Sequence, residues 1–123
     1  MSVVLDASVL VDALLVGVSL PEREEWHAPD LVDVEVLSAL RRTTLTGSVT
    51  PSDARDALDT HLAFQIRRHG TRRLLPRMWA LRHDITAADA SYVALAESLG
   101  AALVTTDLRL ARVAVRYCDV VTP

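Results

Sequence analysis

The sequence predicts an α/β fold: a single domain with a central, mainly parallel β-sheet flanked by helices on both faces. Three observations carry that expectation. Short apolar runs rich in β-branched residues alternate with helix-length stretches along the chain. The connections between them are short, with only 4 Gly and 5 Pro to punctuate them. At 123 residues, half of them apolar, the chain can bury one modest core but not two, so one domain over 1–123 is expected.

Taken in order, Val3-Val4-Leu5 reads as a strand ended by Asp6, and 7–16 has the length and composition of a helix. Residues 22–25 form a polar patch, after which Pro29 and Asp30 open a helical stretch. Leu31, Val34, Leu37 or Ser38, and Leu40 or Arg41 follow there at the 3.6-residue period, and 43–47 end it. Thr50-Pro51-Ser52-Asp53 combines a capping box with proline in the first turn, which predicts a helix to about Phe64. Gly70 punctuates the next segment, and 72–82 reads as helical, with Pro76 early enough to be tolerated. Thr86 can cap a helix reaching Leu99, closed by Gly100. Residues 102–105 then read as a buried strand, 108–115 as a helix and 118–121 as a final strand. Three strands are therefore expected, with no domain boundary and no low-complexity segment.

Every one of the 13 basic residues is arginine. Chemistries that need an amine, such as a phosphate-cradling P-loop lysine or a Schiff-base lysine, therefore have no candidate. The lone cysteine, Cys118, falls in an apolar terminal run and is expected to be a buried, inert thiol. No charge-free stretch exceeds about ten residues, against the roughly 18 needed to span a bilayer, and no basic leader precedes Val3. A soluble cytoplasmic protein is expected.

Ligands of open α/β sheets bind beyond the carboxyl ends of the strands, and two acids fall there: Asp6 and Asp107. Each could equally be the cap of the helix that follows it. Glu35 lies among aliphatic residues on a helix, and Asp89 occupies the capping-box position after Thr86. If the four meet in space, about four negative charges converge with no amine to neutralise them, and their pKa values must rise. A hard divalent cation, Mg²⁺ or Mn²⁺, removes that conflict. Zinc does not suit the set, because one cysteine and scattered histidines offer no ligand spacing. The chemistry of such a site is metal-assisted phosphodiester hydrolysis.

Four segments together closely resemble the PIN-domain ribonucleases, and among these the toxin members of VapBC toxin–antitoxin systems. They are Val4-Leu5-Asp6-Ala7-Ser8-Val9-Leu10-Val11, the stretch from Pro29 through Glu35 to Arg42, Ile85 through Asp89 to Glu97, and Leu103-Val104-Thr105-Thr106-Asp107. The resemblance is weakest over 48–80. It implies an endoribonuclease whose catalytic quartet is Asp6, Glu35, Asp89 and Asp107. Metal would be held by Asp6, Asp89 and Asp107, with Ser8 and Thr105 as auxiliary polar groups. It also implies a cognate antitoxin, a homodimer and a toxin–antitoxin hetero-oligomer; aliphatic side chains crowded on the first helix (Leu10, Val11, Leu14, Leu15, Val16) are candidates for those contacts.

The charges are unevenly placed. Residues 1–59 hold four arginines and eleven acids, 60–83 hold six arginines and no acid, and 84–123 hold three arginines and five acids. Within the basic segment Arg72, Arg73 and Arg77 are the candidate RNA-steering residues, because guanidinium groups bind phosphate bidentately. A solvated helix face is the plainer reading of the same segment. His27, His61, His69 and His83 form no catalytic or ligand pattern, and Trp26 and Trp79 are expected to pack, Trp79 being the better candidate to stack on a base. The competing functional readings are a non-catalytic PIN-like module that binds RNA or protein, and a small-phosphate-ester hydrolase. The second is disfavoured because Ser8 stands where an Asp-x-Asp motif would place its second acid.

Overall fold

The computed structural model describes all 123 residues. Five parallel strands form one sheet in the order β3-β2-β1-β4-β5. The strands are β1 (Ser2–Leu5), β2 (Glu25–Pro29), β3 (Ile66–His69), β4 (Ala102–Val104) and β5 (Val120–Val121). The helices are α1 (Ala7–Leu15), α2 (Val32–Leu45), α3 (Pro51–Ala63), α4 (Leu75–Ala80), α5 (Ala87–Leu99) and α6 (Leu108–Ala114), with a 3₁₀ turn at Arg72–Leu74 leading into α4. None is long and apolar enough to cross a membrane.

The chain lays down β1, β2 and β3 toward one edge, then returns past β1 to add β4 and β5 on the other side. Right-handed crossovers, the near-universal hand, then put α1, α2 and α3 on one face and α4, α5 and α6 on the other. The first three helices pack on one another, and α5 lies across β1, β2 and β4. Seven consecutive residues of α5, Ala90 to Ala96, are buried, which explains why its sequence is apolar all round rather than along one stripe. Gly100 closes α5 in the left-handed region at φ +61°, a conformation glycine adopts without steric cost.

Val4, Leu5, Leu103 and Val104 are almost wholly buried where β1 pairs with β4. Each such side chain contributes about 1.5–3 kcal/mol of hydrophobic stabilisation. That rigid pair carries the carboxyl-end residues Asp6 and Thr105.

Two of the five strands are absent from the sequence reading, and the reason is physical. β2 is Glu25-Trp26-His27-Ala28-Pro29, with no β-branched residue and a terminal proline, yet its last three residues are buried between neighbours. Because Pro29 closes this strand, α2 begins at Val32, later than expected. β3 is an edge strand, Ile66-Arg67-Arg68-His69, with one aliphatic residue; charged edges are how sheets discourage further pairing, and they erase the period-2 signal. Arg67 and Arg68 therefore sit on a strand rather than a helix. On α2 the buried stripe is Val32, Val36 and Leu40, whereas Val34 and Leu37 of the expected stripe are exposed. The expected helix over 72–82 is the 3₁₀ turn plus the six-residue α4.

Candidate active site

The reversal of strand order beside β1 makes a switch point between the carboxyl ends of β1 and β4, the place where open α/β sheets bind ligands. An open cleft of about 490 Å³ lies there, lined by Asp6, Glu35, Asp89 and Asp107 among others. Each acid comes from a different part of the chain: Asp6 from the end of β1, Glu35 from α2, Asp89 from the first turn of α5, and Asp107 from the turn after β4.

Asp6 is only 4% exposed. Its Oδ1 accepts from the Val9 backbone N–H at 3.0 Å, capping α1, and from the Ser8 hydroxyl at 2.7 Å. Its Oδ2 accepts from the Thr105 hydroxyl at 2.6 Å. The cap and the cleft-facing carboxylate are thus one group. Thr105 is itself buried, and its Oγ1 also accepts from the Asp107 N–H at 3.0 Å. Ser8 accepts from the Thr106 N–H at 3.2 Å and lies 3.1 Å from Thr105 Oγ1. These bonds tie the ends of β1 and β4 together. Burial pushes the Asp6 carboxyl up to about 6; the Thr105, Ser8 and Val9 bonds pull the other way, and the negative charge of Asp107 adds to the rise.

Glu35 accepts from the phenol of Tyr92 at 2.5 Å. Tyr92 is 2% exposed, and its own pKa is raised, first by burial and then by Glu35. Asp89 and Asp107 face a shared cation, Arg109, whose Nη2 is 3.3 Å from one carboxylate and 3.5 Å from the other. Asp107 also caps α6 through Oδ1, which accepts from the Arg109 and Leu110 N–H groups at 3.0 and 3.2 Å. No three acids, histidines or cysteines stand together in metal-holding geometry. The quartet is gathered around one cleft, with two members drawn toward Arg109 and one toward Tyr92.

The PIN domain family model matches residues 3–116. The chain belongs to the PIN-domain family. Among relatives, it is 40% identical over 121 residues to VapC ribonuclease Mb0985 of Mycobacterium bovis, covering 96% of this chain and 95% of that protein. Ribonuclease VapC9 of Mycobacterium tuberculosis matches to the same extent, and its ribonuclease VapC3 is 42% identical over 118 residues, covering 89% of this chain and 85% of the other. In fold the chain is similar to the structure of VapBC2 from Rickettsia felis bound to a promoter DNA fragment, with a TM-score of 0.72 at 14% identity over 99% of this chain and 98% of that one.

Several residues of this PIN domain's cleft escaped the sequence reading. Asp12 lines it and accepts from the Thr106 hydroxyl at 2.6 Å; a lone acid within the aliphatic run of α1 was its signal. Arg42, near the end of α2, also lines the cleft and has no carboxylate partner. Tyr92, which lines the cleft, and Arg109, beside two of its acids, had no readable signal, because the Tyr92–Glu35 and Arg109–Asp89 contacts join separate segments. The basic segment divides: Arg72 and Arg73 are exposed and unpaired, whereas Arg77 makes two 2.9 Å bonds to Glu97 and Arg68 two bonds, at 2.6 and 2.8 Å, to Asp33. Arg77 is therefore engaged within the fold.

His27, His61 and His69 pack within the fold, His83 is exposed, and none of the four lines the cleft. His27 Nδ1 and His69 Nε2 are 2.8 Å apart, and buried His61 bonds Asp33 at 2.7 Å. Trp26 packs edge-on against Phe64, while Trp79 is 68% exposed with the Arg82 guanidinium 4.4 Å above its ring. Cys118 is half-buried, and burial pushes its thiol up to about 11, which makes it unreactive at neutral pH.

Proposed function

We propose that the chain is a metal-dependent endoribonuclease, the toxin of a toxin–antitoxin pair, which hydrolyses phosphodiester bonds in RNA. One observation carries this reading: four carboxylates from four separate elements line a single cleft at the sheet's switch point, in a chain of the same family as the VapC ribonucleases.

The donor chemistry fits Mg²⁺ or Mn²⁺. All four groups offer oxygen, and Asp6 is an anion buried without a cationic partner, held near pH 6 by that burial. Asp6, Asp89 and Asp107 are the residues that would hold the ion. When bound, it would activate a water and offset charge on the phosphate.

The protein's own groups do the positioning. Ser8 and Thr105 fix both oxygens of Asp6 so that the carboxylate cannot rotate. Tyr92 holds one oxygen of Glu35, leaving the other to orient a water as general base. Arg72 and Arg73, unpaired on the surface, steer RNA through its phosphates.

The partner is an antitoxin protein, by analogy with the VapBC2 assembly of similar fold. Exposed Val16, Val34 and Leu37, beside half-buried Val11, Leu14 and Leu15, supply apolar surface for it and for pairing of two copies. A single domain working in the cytoplasm, where RNA is, completes the reading.

The test is incubation of purified protein with total cellular RNA, with Mn²⁺ or with EDTA, comparing wild type with Asp6→Asn. Cleavage should require the metal and vanish in the variant. Equal cleavage by both proteins overturns the mechanism.

A further inference from the structure

Arg109 stands where two of the four acids present their remaining oxygens. Asp107, which lines the cleft, uses Oδ1 to cap α6 and leaves Oδ2 free of that task. Asp89 leaves the capping of α5 to the Thr86 hydroxyl, which accepts its N–H at 3.3 Å, so its carboxylate is free of that task. The Nη2 of Arg109 lies 3.3 Å from Asp89 Oδ2 and 3.5 Å from Asp107 Oδ2. One nitrogen bridges carboxylates brought together from α5 and from the turn after β4.

The bridge is loose. Both contacts are long, the arginine side chain is 71% exposed, and no other acid pairs with it. The carboxylates beneath are more sheltered, at 19% and 32% exposure. A divalent cation taken up by these two carboxylates would compete with the guanidinium, because like charges at that range repel.

We propose that Arg109 is the cleft's resident counter-ion, exchanged for the divalent cation and then turned to the phosphate of the RNA. The proposal rests on the metal-dependent nuclease reading. Its logic is geometric: Arg109 lies within 3.3 and 3.5 Å of the two carboxylates and offsets their mutual repulsion. Release is easy, as exposed pairs of this kind shift an equilibrium by about two- to five-fold only. Once free, the guanidinium is still tethered to the first turn of α6, two residues from the cleft-lining Asp107. Its planar fork of donors suits a phosphate better than a single carboxylate oxygen each. Arg109 is thus a positioning residue for substrate and a competitor of the metal.

The experiment is calorimetric titration of Mn²⁺ into wild type, Arg109→Ala and Arg112→Ala, followed by anisotropy of a fluorescent single-stranded RNA in Ca²⁺. Arg112 lies on the same helix without an acidic partner and controls for lost charge. Arg109→Ala should bind Mn²⁺ about two- to five-fold more tightly yet hold RNA several-fold more weakly, with Arg112→Ala near wild type in both. Unchanged or weaker Mn²⁺ binding by Arg109→Ala overturns the proposal, as does unchanged RNA affinity or an equal effect of the two variants. Failure of the wild type to take up Mn²⁺ at all would instead sink the nuclease reading on which it stands.

Discussion

Replacing Asp6 by Asn should stabilise this protein at neutral pH while abolishing its chemistry. The folded chain keeps the Asp6 carboxyl protonated up to about pH 6 against an ordinary value of 3.8. The sign follows from linkage: a raised carboxyl pKa means folding is favoured while the group is protonated, fully below 3.8, and that advantage is lost as pH rises through 6. At about 1.36 kcal/mol per pH unit of difference, wild type forgoes about 3 kcal/mol at pH 7.5 but only about 1 kcal/mol at pH 4.5.

The amide fits the same bonds. Its oxygen can keep accepting from Val9 and Ser8, and its NH₂ can donate to Thr105 Oγ1, whose hydroxyl then turns toward Ser8 Oγ, 3.1 Å away. Urea unfolding in EDTA should therefore find Asp6→Asn more stable than wild type by up to about 3 kcal/mol at pH 7.5, shrinking by about 2 kcal/mol at pH 4.5. Mn²⁺ should raise the stability of wild type and leave the variant unmoved. A variant no more stable at pH 7.5, or equally stabilised at both pH values, would refute the idea that the buried charge is the source of the cost.

Other outcomes follow from the same network. Thr105→Val removes a donor to Asp6 and leaves buried polar atoms unpaired, so it should cost about 1–3 kcal/mol and move the acidic limb of the cleavage–pH profile upward; Thr105→Ser should restore both. Arg42→Ala, in the cleft, should weaken RNA binding and lower its salt slope by about one, whereas Arg77→Ala, which breaks the Glu97 pair, should leave RNA affinity alone; equal effects would mean that pairing does not decide which arginines meet RNA. The pKa of His69 is lowered, first by burial and then by His27, so its contribution is present above pH 6.5 and lost as pH falls through the lower folded value. Thermal melts between pH 7 and 5 should be less acid-sensitive for His69→Gln, measured in the Asp6→Asn background because Asp6 drives the opposite trend.

The net charge of −3 at first argues against an RNA partner. With the four proposed site acids set aside, the remaining acids and arginines nearly balance, and what matters is where the unpaired guanidinium groups are. The composition could not tell them apart. Six arginines and no acid over 60–83 look like one basic face, but Asp33 and Glu97, from other segments, engage Arg68 and Arg77.

The sequence by itself determined the alternation of strands and helices around Asp6, Asp89 and Asp107, the caps at Thr50 and Thr86, the glycine that ends α5, and the oxygen-rich donor set. All of these are local: period, cap and turn chemistry are written within a few residues. Tertiary structure alone decided that Glu25-Trp26-His27-Ala28-Pro29 and Ile66-Arg67-Arg68-His69 are strands, since each is stabilised by partners across the sheet rather than by its own propensity. It alone decided that Tyr92 holds Glu35 and that Arg109 bridges Asp89 and Asp107. Tyr92 and Glu35 are 57 residues apart along the chain, and Arg109 and Asp89 are 20 apart; a side chain's electrostatic setting is fixed by what packs around it, which a local stretch of sequence does not contain.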